Sequence, residues 1–187
     1  MTFAASVSGD EKIRLFVGFS LACPDRERIS AWQRLELAGA PVSLVRPDQL
    51  HFTIAFLGAT PTNRLREIAD VIDESTAGVE PMPLAFRRYR ETRSVGMLAF
   101  DDPSGEATRV ARAVQLGLER LGVYELESRA WLAHVTVCRF RRSPGLRPQL
   151  PDLGEISPSG VAAYHSILRR DGAQYDVLHS VALGGRC

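Results

Sequence analysis

His51-Phe52-Thr53-Ile54 recurs 83 residues later as His134-Val135-Thr136-Val137, and the reading of the whole chain turns on this pair. The chain has only four histidines and eight threonines. Two of four histidines carrying Thr at the second following position arise by chance about once in a hundred trials, so the repeat is a signal. On a strand, residues i and i+2 share one face about 7 Å apart. Each tetrad therefore sets an imidazole beside a hydroxyl, while Phe52, Ile54, Val135 and Val137 turn toward a core.

The surroundings of the two tetrads repeat as well. Ile13 to Phe19 reads as a strand with Leu15, Val17 and Phe19 on one face and Arg14, Phe16 and Gly18 on the other. A helix from Pro24 to Leu37 follows, with Ile29, Trp32, Leu35 and Leu37 as its apolar stripe. A short strand over 42–45, a turn at Arg46-Pro47-Asp48 and a strand from Leu50 to Leu57 ending at Gly58 complete the first unit. Residues 61–77 form a second helix through Leu65, Ile68, Ala69 and Ile72. The pattern then restarts: paired strands at Leu84–Arg90 and Val95–Phe100, a helix capped by Asp101-Asp102-Pro103-Ser104 and running to Leu121, and a strand from Trp131 to Phe140. Residues 142–160 hold four prolines and three glycines and read as a surface loop. Val161–Leu168 and Tyr175–Leu183 pair through a turn at Asp171-Gly172. Strand, helix and His-x-Thr strand thus occur twice, which predicts two similar lobes of about ninety residues facing each other.

Composition narrows the function. With 22 acidic and 23 basic residues in 187, the chain lacks the excess positive charge of a sequence-independent nucleic-acid coat. All the basic residues but Lys12 are Arg. Cys23, Cys138 and Cys187 are too widely spaced for a zinc site and read as reduced thiols. Met1 to Asp10 carries no signal-peptide pattern and no stretch is long and apolar enough for a membrane span. The expectation is a cytoplasmic protein with no cofactor, no metal, no membrane attachment and no obligate protein partner. No glycine-rich phosphate loop, Gly-x-Ser-x-Gly elbow or His-Glu-x-x-His helix is present.

Two opposed His-Thr strands suit in-line displacement at phosphorus. One neutral imidazole takes a proton from the attacking water, and one imidazolium protonates the leaving oxygen. The threonine hydroxyls and a nearby Arg donate to the non-bridging oxygens. Residue spacing does not order the two histidine roles. Phe16 is a candidate for stacking on a nucleobase at the cleft. Cys138 is expected on the cleft face with His134 and Thr136, as a packed thiol rather than a nucleophile. The arginines at 87, 88, 90 and 93, and at 139, 141 and 142, could follow an RNA backbone or simply solvate strand edges. His165 and His179 lack a partner Thr and read as structural or surface residues.

The paired motifs, together with Arg14-Leu15-Phe16-Val17-Gly18-Phe19, Val45-Arg46-Pro47-Asp48-Gln49-Leu50 ahead of the first His, Ala55-Phe56-Leu57-Gly58 behind it, Tyr164-His165-Ser166 and Gly172 to Leu178, resemble the two-histidine phosphoesterase superfamily. Within it, the nearest likeness is to bacterial RNA 2',3'-cyclic phosphodiesterases of the LigT/ThpR type, over residues 12–184. The resemblance implies an α+β, bilobal domain over 12–187 behind a flexible tail of residues 1–11, with two antiparallel sheets forming a V-shaped cleft and helices packed outside. It implies metal-independent hydrolysis of a 2',3'-cyclic phosphate at an RNA end to a 2'-phosphomonoester, with reverse 2'-5' joining as a side activity. It implies His51 as proton donor and His134 as proton acceptor, with Thr53, Thr136 and Arg139 on the phosphate. Ala133 departs from the Pro that relatives often carry before the second His, and Cys138 stands where they often have Ala. A small cyclic nucleotide or ADP-ribose cyclic phosphate as substrate, and a non-catalytic RNA-end or nucleotide-binding module, stay open as alternatives.

Overall fold

A computed structural model describes residues 11–169 and 172–184; residues 1–10 of the expected tail, Asp171 of the expected turn and Cys187 lie outside them. Among the described residues nine strands form one hydrogen-bonded antiparallel sheet: β1 (Lys12–Leu21), β2 (Ser43–Leu44), β3 (His51–Pro61), β4 (Leu84–Glu91), β5 (Val95–Asp101), β6 (His134–Arg139), β7 (Glu155–Ile156), β8 (Pro158–Arg169) and β9 (Gly172–Ala182). Their spatial order is β7-β4-β5-β6-β3-β1-β8-β9, and β2 pairs with β6. The α-helices among the described residues are α1 (Cys23–Glu36), α2 (Leu65–Thr76) and α3 (Glu106–Arg120). The fold is α+β, an antiparallel sheet curled into a half-barrel. Among the described residues no helix is long and apolar enough to cross a membrane.

The expected repeat is present as β1–α1–β3 and β5–α3–β6, each a helix returning the chain to an adjacent antiparallel strand. The two expected sheets are the wings of the path, and they meet at a single residue pair, Phe52 opposite Val135. The lobes are not halves of the sequence, however. The C-terminal strands β8 and β9 return to extend the first wing beside β1, because that edge would otherwise stay unpaired. The loop expected over 142–160 contains β7, which pairs with Leu84 and Ala85.

Local chemistry accounts for the helices. Asp102 accepts from the backbone N–H groups of Gly105 and Thr108, and Ser104 from that of Glu106, so the first-turn donors of Glu106 and Thr108 in α3 are satisfied. Val110, Val114 and Leu118 are fully buried on its inner face, each such burial contributing roughly 1.5–3 kcal/mol. In α1 the spacing misleads at one position: Leu35 is 79% exposed while Gln33 is buried. Strand β3 runs past Gly58 to Pro61, because Gly58 adopts a left-handed φ of 66° at a bulge instead of ending the strand. Strand β6 is shorter than expected. Trp131 crosses to β3, where its indole N–H donates to the Thr53 carbonyl at 2.7 Å, and β6 begins only at His134.

Candidate active site

The site sits where the wings join. With Phe52 opposite Val135, the antiparallel register brings His51 into line with Thr136, and Thr53 into line with His134. Phe52, Ile54, Val135 and Val137 are buried as the alternation requires, and the four polar members of the tetrads are half-buried on the other face. Each imidazole is aimed in the same way. His51 Nδ1–H donates to the Gln49 carbonyl at 2.6 Å, and His134 Nδ1–H to the Leu132 carbonyl at 2.9 Å. A carbonyl only accepts, so this bond fixes the tautomer and leaves Nε2 as the working atom of each ring. Thr53 Oγ1 lies 3.1 Å from His51 Nε2.

Both strands break phase at the fourth residue of the tetrad. On β3, Val17 faces Ala55 and Gly18 faces Thr53, so Ile54 is the extra residue of a bulge. On β6, Gly96 faces Cys138 and Met97 faces Thr136, so Val137 is extra. A bulge re-aims the side chains beyond it, and the cleft therefore receives the residue five positions after each histidine: Phe56 from β3 and Arg139 from β6. Both are exposed. The carbonyls at the bulges accept from two buried glutamines, each from the helix of the other repeat, and that of Val137 accepts from the Val45 N–H as well. Gln115 of α3 donates to Ile54 at 2.9 Å, and Gln33 of α1 donates to Val137 at 2.5 Å and to Val45 at 3.1 Å. Each wing thereby holds the other wing's motif strand.

The same bulge corrects the expectation for Cys138. It does not face the cleft with His134 and Thr136; it is fully buried in the main core, its thiol beside the Tyr89 hydroxyl, and burial raises its pKa. Phe16 is corrected too. It lies on the predicted face but is only 2% exposed, stacked on Tyr164 at 4.8 Å and 13° and flanked by Tyr175 and His51. Strands β8 and β9 cover it, so it has no free face for a nucleobase and forms the wall behind His51. Phe56 is the aromatic that residue order leaves without a role, 67% exposed with its ring 5.9 Å from that of Phe16. Its signal is its place in the repeat, matching Arg139 five residues after the histidine. His165 is half-buried on β8, and His179 pairs with Asp73 at 2.6 Å, remote from the tetrads in sequence and bonding.

The wall sets the electrostatics. Phe16, Tyr164 and Tyr175 crowd the His51 ring, and this desolvation lowers its pKa to about 4. The Gln49 carbonyl opposes the shift, while the charges of His134 and Arg139 reinforce it. His51 is thus neutral near pH 7, and His134 and Arg139 stand close enough to act on it. Gly18 permits the crowding: a Cβ there would meet the Phe52 carbonyl oxygen at 2.7 Å and His51 Cδ2 at 3.2 Å. In front of the tetrads opens a cavity of about 520 Å³, lined among others by Thr53, Phe56, Met97, Trp131, Leu132 and His134. Arg139 lines a second hollow of about 830 Å³ with Ser43, Arg141 and Arg142. Among the described residues no three of His, Cys, Asp and Glu converge as metal ligands.

Similarity to known proteins agrees with this geometry. Residues 21–93, which include the first tetrad, match the model of the LigT-like phosphoesterase family. The chain is 30% identical over 162 residues to a protein of Methanothermobacter thermautotrophicus named RNA 2',3'-cyclic phosphodiesterase, covering 78% of this chain and 80% of that one. It is 29% identical over 185 residues to a protein of the same name from Archaeoglobus fulgidus, covering 87% and 96%. The crystal structure of E. coli LigT in apo form superposes with a TM-score of 0.77 at 22% identity, over 94% of this chain and all of that one. With the tetrads, the half-barrel and a relative of this identity in agreement, the chain belongs to the LigT-like phosphoesterase family.

Proposed function

We propose that this protein is an RNA 2',3'-cyclic phosphodiesterase that opens a terminal cyclic phosphate to a 2'-phosphomonoester by acid–base catalysis between His51 and His134. The observation that carries the reading is the pair of imidazoles, each tethered through Nδ1 to a carbonyl two residues back and each followed two residues on by a threonine, on either side of the residue pair that joins β3 to β6. The archaeal relatives bear the name of this activity.

In this reaction water adds to phosphorus and the P–O3' bond breaks. His134 Nε2 takes the proton of the attacking water, and His51 Nε2 gives one to the departing 3' oxygen. The net result is one water consumed, a 3'-hydroxyl and a 2'-phosphate. Thr53, Thr136 and Arg139 donate to the non-bridging oxygens, where charge accumulates. His51 can act as donor only when charged, so it takes up a proton as the phosphate anion binds and offsets the desolvation that keeps it neutral. Phe56, exposed at the cavity mouth, offers its ring to the terminal base. The tetrads supply both proton-transfer groups, and no step calls for a metal or cofactor.

The test is to incubate the protein, in the presence of chelator, with RNA ending in a 2',3'-cyclic phosphate and to identify the product with enzymes specific for 2'- or 3'-phosphate. A 2'-phosphate is expected, with kcat reduced about 10²- to 10⁴-fold in His51→Ala or His134→Ala. Turnover that survives both substitutions overturns the assignment, and turnover abolished by chelator overturns the metal-free mechanism.

A further inference from the structure

The sheet register places two arginines of β4 in the same rows as the second tetrad. Arg90 pairs with Met97, and Met97 with Thr136; Arg88 pairs with Ala99, and Ala99 with His134. Directly opposed residues in an antiparallel sheet share a face, so Arg88 and Arg90 stand on the cleft face two strands from Thr136 and His134. At about 4.8 Å per strand that is roughly 10 Å. Arg90 lines the same cavity as Thr53, Phe56 and His134. A bulge at Arg87 separates the arginine run into two roles: Phe86 faces Phe100 and Arg88 faces Ala99, which leaves Arg87 out of the ladder and bonded to Asp101 at 3.0 Å.

Neither Arg88 nor Arg90 is paired. Both are exposed, and among the described residues no carboxylate bonds to either. The nearby acidic groups are already engaged. Glu127, on the same cavity, holds Arg129 at 2.7 Å. Glu91 points to the opposite face, where Tyr89, Ser143, Gly145 and Leu146 donate to it. Two free guanidinium groups side by side along one strand, on the wall of a cleft that ends at a phosphate site, suit a run of phosphates better than a single one.

We propose that Arg88 and Arg90 form a track for the phosphodiester backbone leading into the site, so that the protein binds the end of a single-stranded RNA in preference to a mononucleotide with the same terminal phosphate. This rests on the reading of the site as one for RNA ends. The terminal nucleotide occupies the tetrads and Phe56, and the phosphates on its 5' side lie along β4. These interactions touch phosphate alone and carry no base preference.

Binding decides it. Anisotropy of a labelled short single-stranded RNA carrying a terminal 2'-phosphate is measured as a function of salt, with competition by adenosine 2'-monophosphate, for wild type, R88Q/R90Q and, as a control already engaged by Asp101, R87Q. The double substitution is expected to weaken RNA binding about tenfold at low salt and to reduce the slope of log affinity against log salt by about 1.4, near 0.7 for each phosphate no longer neutralised. Mononucleotide affinity should change less than about twofold, and R87Q should match wild type. RNA affinity and salt slope left intact by R88Q/R90Q, or an equal loss for the mononucleotide, overturns the track. Failure of the catalytic reading appears elsewhere, in turnover that ignores the two histidines, and leaves this binding result interpretable by itself.

Discussion

The β3 and β6 tetrads share their pattern, their Nδ1 tether, their bulge and a glutamine clamp from the opposite helix, yet their histidines live in different surroundings. His51 lies against three aromatic rings from β1, β8 and β9. No aromatic ring packs on His134 among the described residues, and its cross-strand neighbour is Ala99. The bulges deliver a phenyl ring on one side and a guanidinium on the other. A duplicated motif thus supplies two equivalent proton-transfer groups, and the C-terminal strands added to one wing make them unequal. The wall lowers the proton affinity of His51, so the proton that His51 gives to the leaving oxygen has to be restored by the bound phosphate anion.

The strongest way to break the contrast is to remove the wall. Phe16→Ala deletes a buried ring and should cost about 3–5 kcal/mol of folding stability, read from denaturant unfolding. Phe56→Ala should leave stability nearly unchanged and instead raise KM for RNA ends, a lost base stack being worth about 1–3 kcal/mol. If Phe56→Ala proves the more destabilising, the two roles are exchanged. Next comes acid. His51 is held neutral in the folded state down to about pH 4, whereas unfolded it titrates near 6.5. The unfolded chain therefore binds the extra proton in that window, and stability present above pH 6.5 is lost as pH falls toward 4, by on the order of 3 kcal/mol. Denaturant midpoints should fall less steeply over this range in His51→Gln. An identical slope would show that the wall does not desolvate the ring.

The smallest effect tests the reciprocity. Gln115→Leu removes the Gln115 bond to the Ile54 carbonyl, and Gln33→Leu removes bonds to the Val45 and Val137 carbonyls while Val137 keeps the Val45 N–H, each expected to cost about 1–3 kcal/mol. Amide exchange should locate the damage on the far wing in both cases, near β6 for Gln33→Leu and near β3 for Gln115→Leu. Damage confined to the helix carrying the substitution would mean that the clamps do not hold the motif strands.

Much of the molecule is legible in residue order. Alternation along the tetrads foretells which side chains enter the core, and the repeat foretells a site shared between two wings. Strict alternation fails one residue beyond each tetrad. Nothing in Ile54 or Val137 announces a bulge, because the bulge is stabilised by a glutamine that is 61 residues away in one case and 104 in the other. For the same reason alternation puts Cys138 on the wrong face and gives Phe56 no role. It puts Phe16 on the right face but not under its cover, since Tyr164 and Tyr175 reach it only after β8 and β9 cross back to the first wing.

By itself the sequence determined the local chemistry: where the helices and the longer strands form, and that an imidazole and a hydroxyl emerge together twice. Periodicity, caps and residue type act over a few positions and are written in neighbouring residues. The tertiary structure alone decided that the tetrads meet at one pair, that the phase breaks after each, that one imidazole is desolvated, and that two arginines of β4 fall into line with Thr136 and His134. Those outcomes depend on pairing and burial between segments far apart in the chain, which no local pattern encodes.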